Sequence, residues 1–170
     1  MVADLPPNEN VVIEDREIPG PEDAPPVGVR IYRPKAASGV LPGIFFIHGG
    51  GMIMGSVEGE NLKAAELCEA IQAVVVSVEY RLAPEHPHPA PVQDCYAALK
   101  WMAQNADELA FDPNRLAVVG GSAGGGLTIA TTMMARDKGF PRICFQMPLY
   151  PMIDDRHETP SSYEIMDVGI

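Results

Sequence analysis

Leu116-Ala117-Val118-Val119-Gly120-Gly121-Ser122-Ala123-Gly124-Gly125-Gly126 decides how this chain is read. An apolar run of strand length enters two glycines and a serine, and a helix-like stretch runs from Gly124 to Lys138. A serine hydroxyl is a weak nucleophile until a sharp turn exposes it and a base is offered. Glycines permit such a turn, and a helix that starts beside Ser122 aims its free N–H groups at an oxygen gaining charge there. Ser122 is therefore the candidate nucleophile of a strand–serine–helix elbow. The competing reading is a glycine-rich turn with an incidental serine.

Upstream, Ile44-Phe45-Phe46-Ile47 is a continuous apolar run of the kind found in a strand buried on both faces, and His48-Gly49-Gly50-Gly51 follows it directly. Glycines after such a strand let backbone N–H groups face a carbonyl oxygen with no side chain in the way. His48 precedes those glycines and reads as an anchor of the loop rather than as a base.

The remaining pattern extends this frame. Val11–Ile18 and Val27–Tyr32 are strand-like, and the proline-rich stretch between them predicts an antiparallel hairpin. Glu60–Gln72 places Leu62, Ala65, Leu67 and Ile71 where they can form one helix face; Val74–Val78 is the next buried strand. After Pro84, Pro87, Pro89 and Pro91, a helix is expected over Val92–Asn105, and a sixth strand over Ile143–Leu149. Two strands followed by alternating strands and helices predict an α/β fold, its sheet mostly parallel and covered on both faces. The 170 residues read as a single domain with no internal boundary.

The chain resembles the hormone-sensitive-lipase-like carboxylesterases of the α/β-hydrolase fold over nearly its whole length. The resemblance is carried by Val29-Arg30-Ile31-Tyr32-Arg33-Pro34, His48-Gly49-Gly50-Gly51, Tyr80-Arg81-Leu82-Ala83-Pro84-Glu85 and Gly120-Gly121-Ser122-Ala123-Gly124-Gly125, in that order. It implies that Ser122 is the nucleophile and that the N–H groups of Gly50, Gly51 and Ala123 form the oxyanion hole. Short-chain acyl esters, an acyl-enzyme and no metal or cofactor follow from the same likeness. Gly121 stands where an aspartate is most common in such enzymes, so a supporting carboxylate is missing there.

The family places its acid after a seventh strand and its histidine after an eighth. The resemblance therefore implies that about six of eight strands are present, that the triad acid and histidine lie outside this chain, and that an N-terminal cap is short or absent. Replacements within the chain are turn or surface residues on the simplest reading: Asp154 and Asp155 after the sixth strand, His157 beyond them, and His86 and His88 in the proline-rich loop. An incomplete sheet would leave the sixth strand as an apolar edge, inviting self-association or pairing with the missing C-terminal half. A catalytically incomplete binding module, or half of a split enzyme, is the alternative function.

Composition narrows the partners. Twelve basic against 23 acidic residues give a formal charge of −11, which repels nucleic acids and anionic membranes. No apolar run approaches the roughly 18 residues of a membrane span. The start Met1-Val2-Ala3-Asp4-Leu5-Pro6-Pro7 lacks the basic and apolar regions of a secretory signal, so a cytoplasmic protein is expected. Cys68, Cys95 and Cys144 are widely spaced and odd in number, and are expected to be buried thiols.

Overall fold

Residues 8–156 and 158–164 are described by a computed structural model, and their β-strands form one mixed sheet. The strands are β1 (Val11–Ile18), β2 (Val27–Pro34), β3 (Leu41–Ile47), β4 (Val74–Glu79), β5 (Phe111–Gly121) and β6 (Phe145–Leu149). Their spatial order is β1-β2-β4-β3-β5-β6. β1 and β2 form the expected antiparallel hairpin, and β2 joins β4 antiparallel. The pairs β4–β3, β3–β5 and β5–β6 are parallel. Parallel neighbours need crossovers, and the helices α1 (Asn61–Ile71), α2 (Ala90–Gln104) and α4 (Ala123–Lys138) supply them. Two short helices, α3 (Ala106–Leu109) and α5 (Pro160–Glu164), have no counterpart in the sequence reading.

The apolar runs are buried because both faces of the central strands are covered. Phe45, Ile47, Val74, Val76 and Val78 pack with Cys95, Leu99, Met102 and Leu127 of α2 and α4. Their neighbours Ile44, Phe46, Val75 and Val119 face the other way and pack with Tyr32, Ala64, Ala65 and Cys68. The period-2 alternation of strand side chains thus feeds two cores from one sheet.

Three expectations need correction. The buried face of α1 is Ala64, Ala65 and Cys68, whereas Leu62 and Ile71 are exposed. Small residues let this helix lie close to β2 and β4, and its larger apolar side chains ride at the flank. Cys144 is exposed, while Cys68 and Cys95 are buried thiols. β5 begins at Phe111 rather than Leu116 because Phe111 pairs with Leu41, with a register shift before Gly43 meets Leu116.

The two edges of the sheet differ in chemistry. β1 carries Glu14, Asp15, Arg16 and Glu17, with Arg16 ion-paired to Glu14 and Glu108. β6 reads Phe-Gln-Met-Pro-Leu and has no charged residue; Phe145 is 57% exposed and Leu149 41%. Among the described residues charge blunts the β1 edge, and β6, at the other end of the sheet, carries none.

Candidate active site

Ser122 stands between the end of β5 and the first residue of α4, with φ 56° and ψ −118°. A non-glycine residue holds such angles only where its surroundings over-determine them. Here the ties are backbone hydrogen bonds. The Ser122 N–H donates to the Leu149 carbonyl (3.0 Å), and its carbonyl accepts from the N–H groups of Gly126 and Met152 (3.0 Å each). The start of α4 also sits tight against the end of β3. A Cβ on Gly124 would run into the carbonyl oxygens of Ile47 and His48, so glycine sets how near the elbow approaches. Ser122 itself is exposed, at the mouth of a cavity of about 380 Å³.

The 48–57 loop forms the opposite wall. Gly49 lies so close to the elbow that a Cβ there would stand 3.0 Å from the Gly121 carbonyl oxygen and 3.6 Å from Ser122 Cβ. Gly50 adopts φ 118° and Gly51 φ 64°, and a side chain on Gly50 would strike the Met54 carbonyl. Among the described residues, the N–H groups of Gly50 and Gly51 donate to no backbone carbonyl. Ala123 is the first residue of α4, where helical N–H groups have no partner within the helix. Gly50 lines the cavity together with Ser122, and Ala123 follows Ser122 directly in the chain.

The loop is anchored from below. His48 is fully buried, its ring stacked on Tyr80 with centroids 4.1 Å apart. Tyr80 Oη donates to the His48 carbonyl at 3.0 Å, and burial pushes the Tyr80 phenol well above its ordinary pKa. The next residue, Arg81, is locked to fully buried Asp94. The Tyr80–Glu85 segment is therefore a brace under the site, and His48 is part of it.

The other ionisable candidates are dispersed. His86 and His88 are exposed in the loop before α2, and neither lines the cavity at Ser122. Asp154 accepts from Arg156 (Nη2 at 2.6 Å), and it and Asp155 are exposed outside that cavity. His157 lies outside the described residues. Among the described lining residues the ionisable side chains are Glu60, Lys63 and Tyr150. The Glu60 carboxylate beside Lys63 raises the ammonium pKa and keeps it protonated, so Lys63 is no base. These three were not singled out by the sequence, because nothing in their spacing connects them to Ser122. Tyr150 lies over Gly121: a Cβ there would meet Tyr150 Oη at 3.2 Å, a tight contact with an exposed ring.

Among the described residues no group of three or more His, Cys, Asp or Glu is placed to hold a metal ion, and no helix is long and apolar enough to cross a membrane. A family model described as alpha/beta hydrolase fold matches residues 44–168. The chain belongs to that family. Among α/β-hydrolase relatives, carboxylesterase NlhH of Mycobacterium tuberculosis is 41% identical over 158 residues, covering 93% of this chain and 49% of its own length. An arylesterase of Saccharolobus solfataricus is 38% identical over 144 residues, covering 84% and 43%. A solved bacterial heroin esterase superposes with a TM-score of 0.93 at 41% identity, covering 97% of this chain and 52% of the other. An esterase from the archaeon Pyrobaculum calidifontis gives 0.77 at 46% identity, covering 82% and 44%. The chain spans about half the length of the curated relatives it matches.

Proposed function

We propose that this chain carries the nucleophile and the oxyanion hole of a serine carboxylesterase acting on small acyl esters. The observation that carries the reading is the strained backbone of Ser122 at the β5–α4 turn, with the glycine loop of Gly49 and Gly50 lining the same cavity; the N–H groups of Gly50, Gly51 and Ala123 are its proposed oxyanion donors. Ser122 Oγ attacks the ester carbonyl carbon, and its proton passes to a base. The carbonyl oxygen, now negative, is received by the three N–H groups at the positive end of α4. Collapse of the tetrahedral adduct expels the alcohol, which takes up the proton and leaves an acyl group on Ser122. Water then releases the acid by the same steps.

No histidine lines the cavity among the described residues, and the base and the acid that orients it are proposed to come from outside them. Without them, oxyanion stabilisation and binding leave about 10³–10⁴-fold acceleration over water. The short acyl group is what the likeness to carboxylesterases implies. Homologues named carboxylesterase and arylesterase support the same class. Strands that extend the sheet towards the rest of the site would lie beside the uncharged β6, where Phe145 and Leu149 are exposed.

Hydrolysis of p-nitrophenyl acetate tests this proposal. Slow p-nitrophenol release above the rate in buffer, with acyl transfer to Ser122, is expected from this chain, and Ser122→Ala should abolish it. Release above the buffer rate that survives Ser122→Ala overturns the reading. Adding the C-terminal half of a full-length relative should raise turnover if completion occurs at β6; a Phe145→Lys chain should be rescued less.

A further inference from the structure

One carboxylate stands at both ends of the loop that carries Gly50 and Gly51, bonded at one and facing a buried ring nitrogen at the other. Glu79, the last residue of β4, accepts the Val57 N–H at Oε2 (2.8 Å), and its Oε1 stands 4.0 Å from His48 Nε2. That nitrogen is buried without a hydrogen-bond partner among the described residues. The other ring nitrogen, Nδ1, is 2.8 Å from the Gly49 carbonyl oxygen. A carbonyl oxygen only accepts, so Nδ1 carries a hydrogen and Nε2 points at the carboxylate. A gap of 4.0 Å exceeds a direct hydrogen bond, and a single water donating to both Nε2 and the carboxylate would span it. The ring has no room to turn away: it stacks on Tyr80, and a Cβ on Gly55 would come within 2.7 Å of Nδ1. The same chain segment also fixes the middle of the loop, for the Ala83 N–H donates to the Met52 carbonyl at 2.9 Å.

We infer that Glu79 is a positioning residue that sets the 49–56 loop through the Val57 amide at one end and the His48 ring at the other. The inference rests on the reading of that loop as the oxyanion hole. Glu79 touches no reacting atom. Its work is entropic and geometric: a loop holding four glycines, at 49, 50, 51 and 55, has many alternative conformations, and oxyanion donors act only within about 0.5 Å of the productive geometry. A charged acceptor on a backbone N–H is the stronger kind of tie.

The test uses the whole chain with Glu79→Ala, Glu79→Gln and, as a charge-matched control, Glu66→Ala on the exposed side of α1. Two quantities are read: amide hydrogen exchange across 49–57, and the rate at which a fluorophosphonate labels Ser122. Losing the tie should speed exchange and slow labelling by about tenfold each in Glu79→Ala. Glu79→Gln keeps an oxygen for the Val57 N–H and should restore labelling to within about threefold of wild type. Glu66→Ala should match wild type in both. If Glu79→Ala does not fold, Glu79→Asp, which keeps the charge but withdraws it from Val57, replaces it with the same expectation. Wild-type exchange and labelling in a folded Glu79 variant overturn the inference. Labelling that persists in Ser122→Ala overturns the reading of the site instead, and exchange at 49–57 still judges Glu79 independently.

Discussion

Replacing Asp94 with alanine removes a fully buried carboxylate from beneath the site. Asp94 accepts three hydrogen bonds from Arg81: the backbone N–H at 3.0 Å, and Nε and Nη2 at 2.8 Å each. The variant leaves a guanidinium and an amide without partners, and breaking a buried pair this way costs about 3–5 kcal/mol. Arg81 is 20% exposed and regains some water, which places the cost at the lower end, about 3 kcal/mol. For a domain of this size each kcal/mol lowers Tm by about 2–4 °C, so a fall of about 6–12 °C is expected by calorimetry. Asp94→Asn keeps the shape and one acceptor, and should lose about half as much. If Tm of Asp94→Ala stays within about 2 °C of wild type, the pair is not a brace and the cost assigned to the stranded guanidinium is wrong.

Further outcomes are expected elsewhere. Leu99→Ala opens a hole where α2 meets the sheet and should cost about 2–5 kcal/mol in urea unfolding, with the denaturant slope unchanged. Iodoacetamide at pH 8 should add one group per native chain, at exposed Cys144, and three after denaturation; mass spectrometry counts them. Burial pushes the Cys68 thiol from about 9 up to about 12, so the folded chain keeps a proton that the unfolded chain releases. Stability should therefore decline as pH rises from 9 towards 12, and Cys68→Ala should flatten that decline. Phe145→Lys should lower the mass found by light scattering at high concentration, and equal masses would exclude the β6 edge from self-association.

The sheet was legible because a strand buried on both faces cannot hide its composition. Ile44–Ile47 and Val74–Val78 fall inside observed β3 and β4, and the elbow at Ser122 falls between β5 and α4. What escaped the sequence depends on distance in space. The face of α1 was misread because periodicity weighs Leu62 and Ile71 above Ala64 and Cys68, whereas packing against the sheet selected the smaller side chains. Cys144 looked like a core thiol only because residue type was the sole guide. Glu79 stands far from His48 and Val57 in the chain, and Tyr150 far from Gly121, so no local spacing signals either contact.

The unequal edges also limit how copies of this chain assemble. Head-to-tail growth would require β6 of one copy to receive β1 of the next, and β1 presents Glu14, Asp15 and Glu17 along its length. An uncharged strand gains little from that partner, so an open fibre has no favourable repeat. A strand added beside β6 therefore has to meet apolar side chains, whereas one added beside β1 has to meet charge.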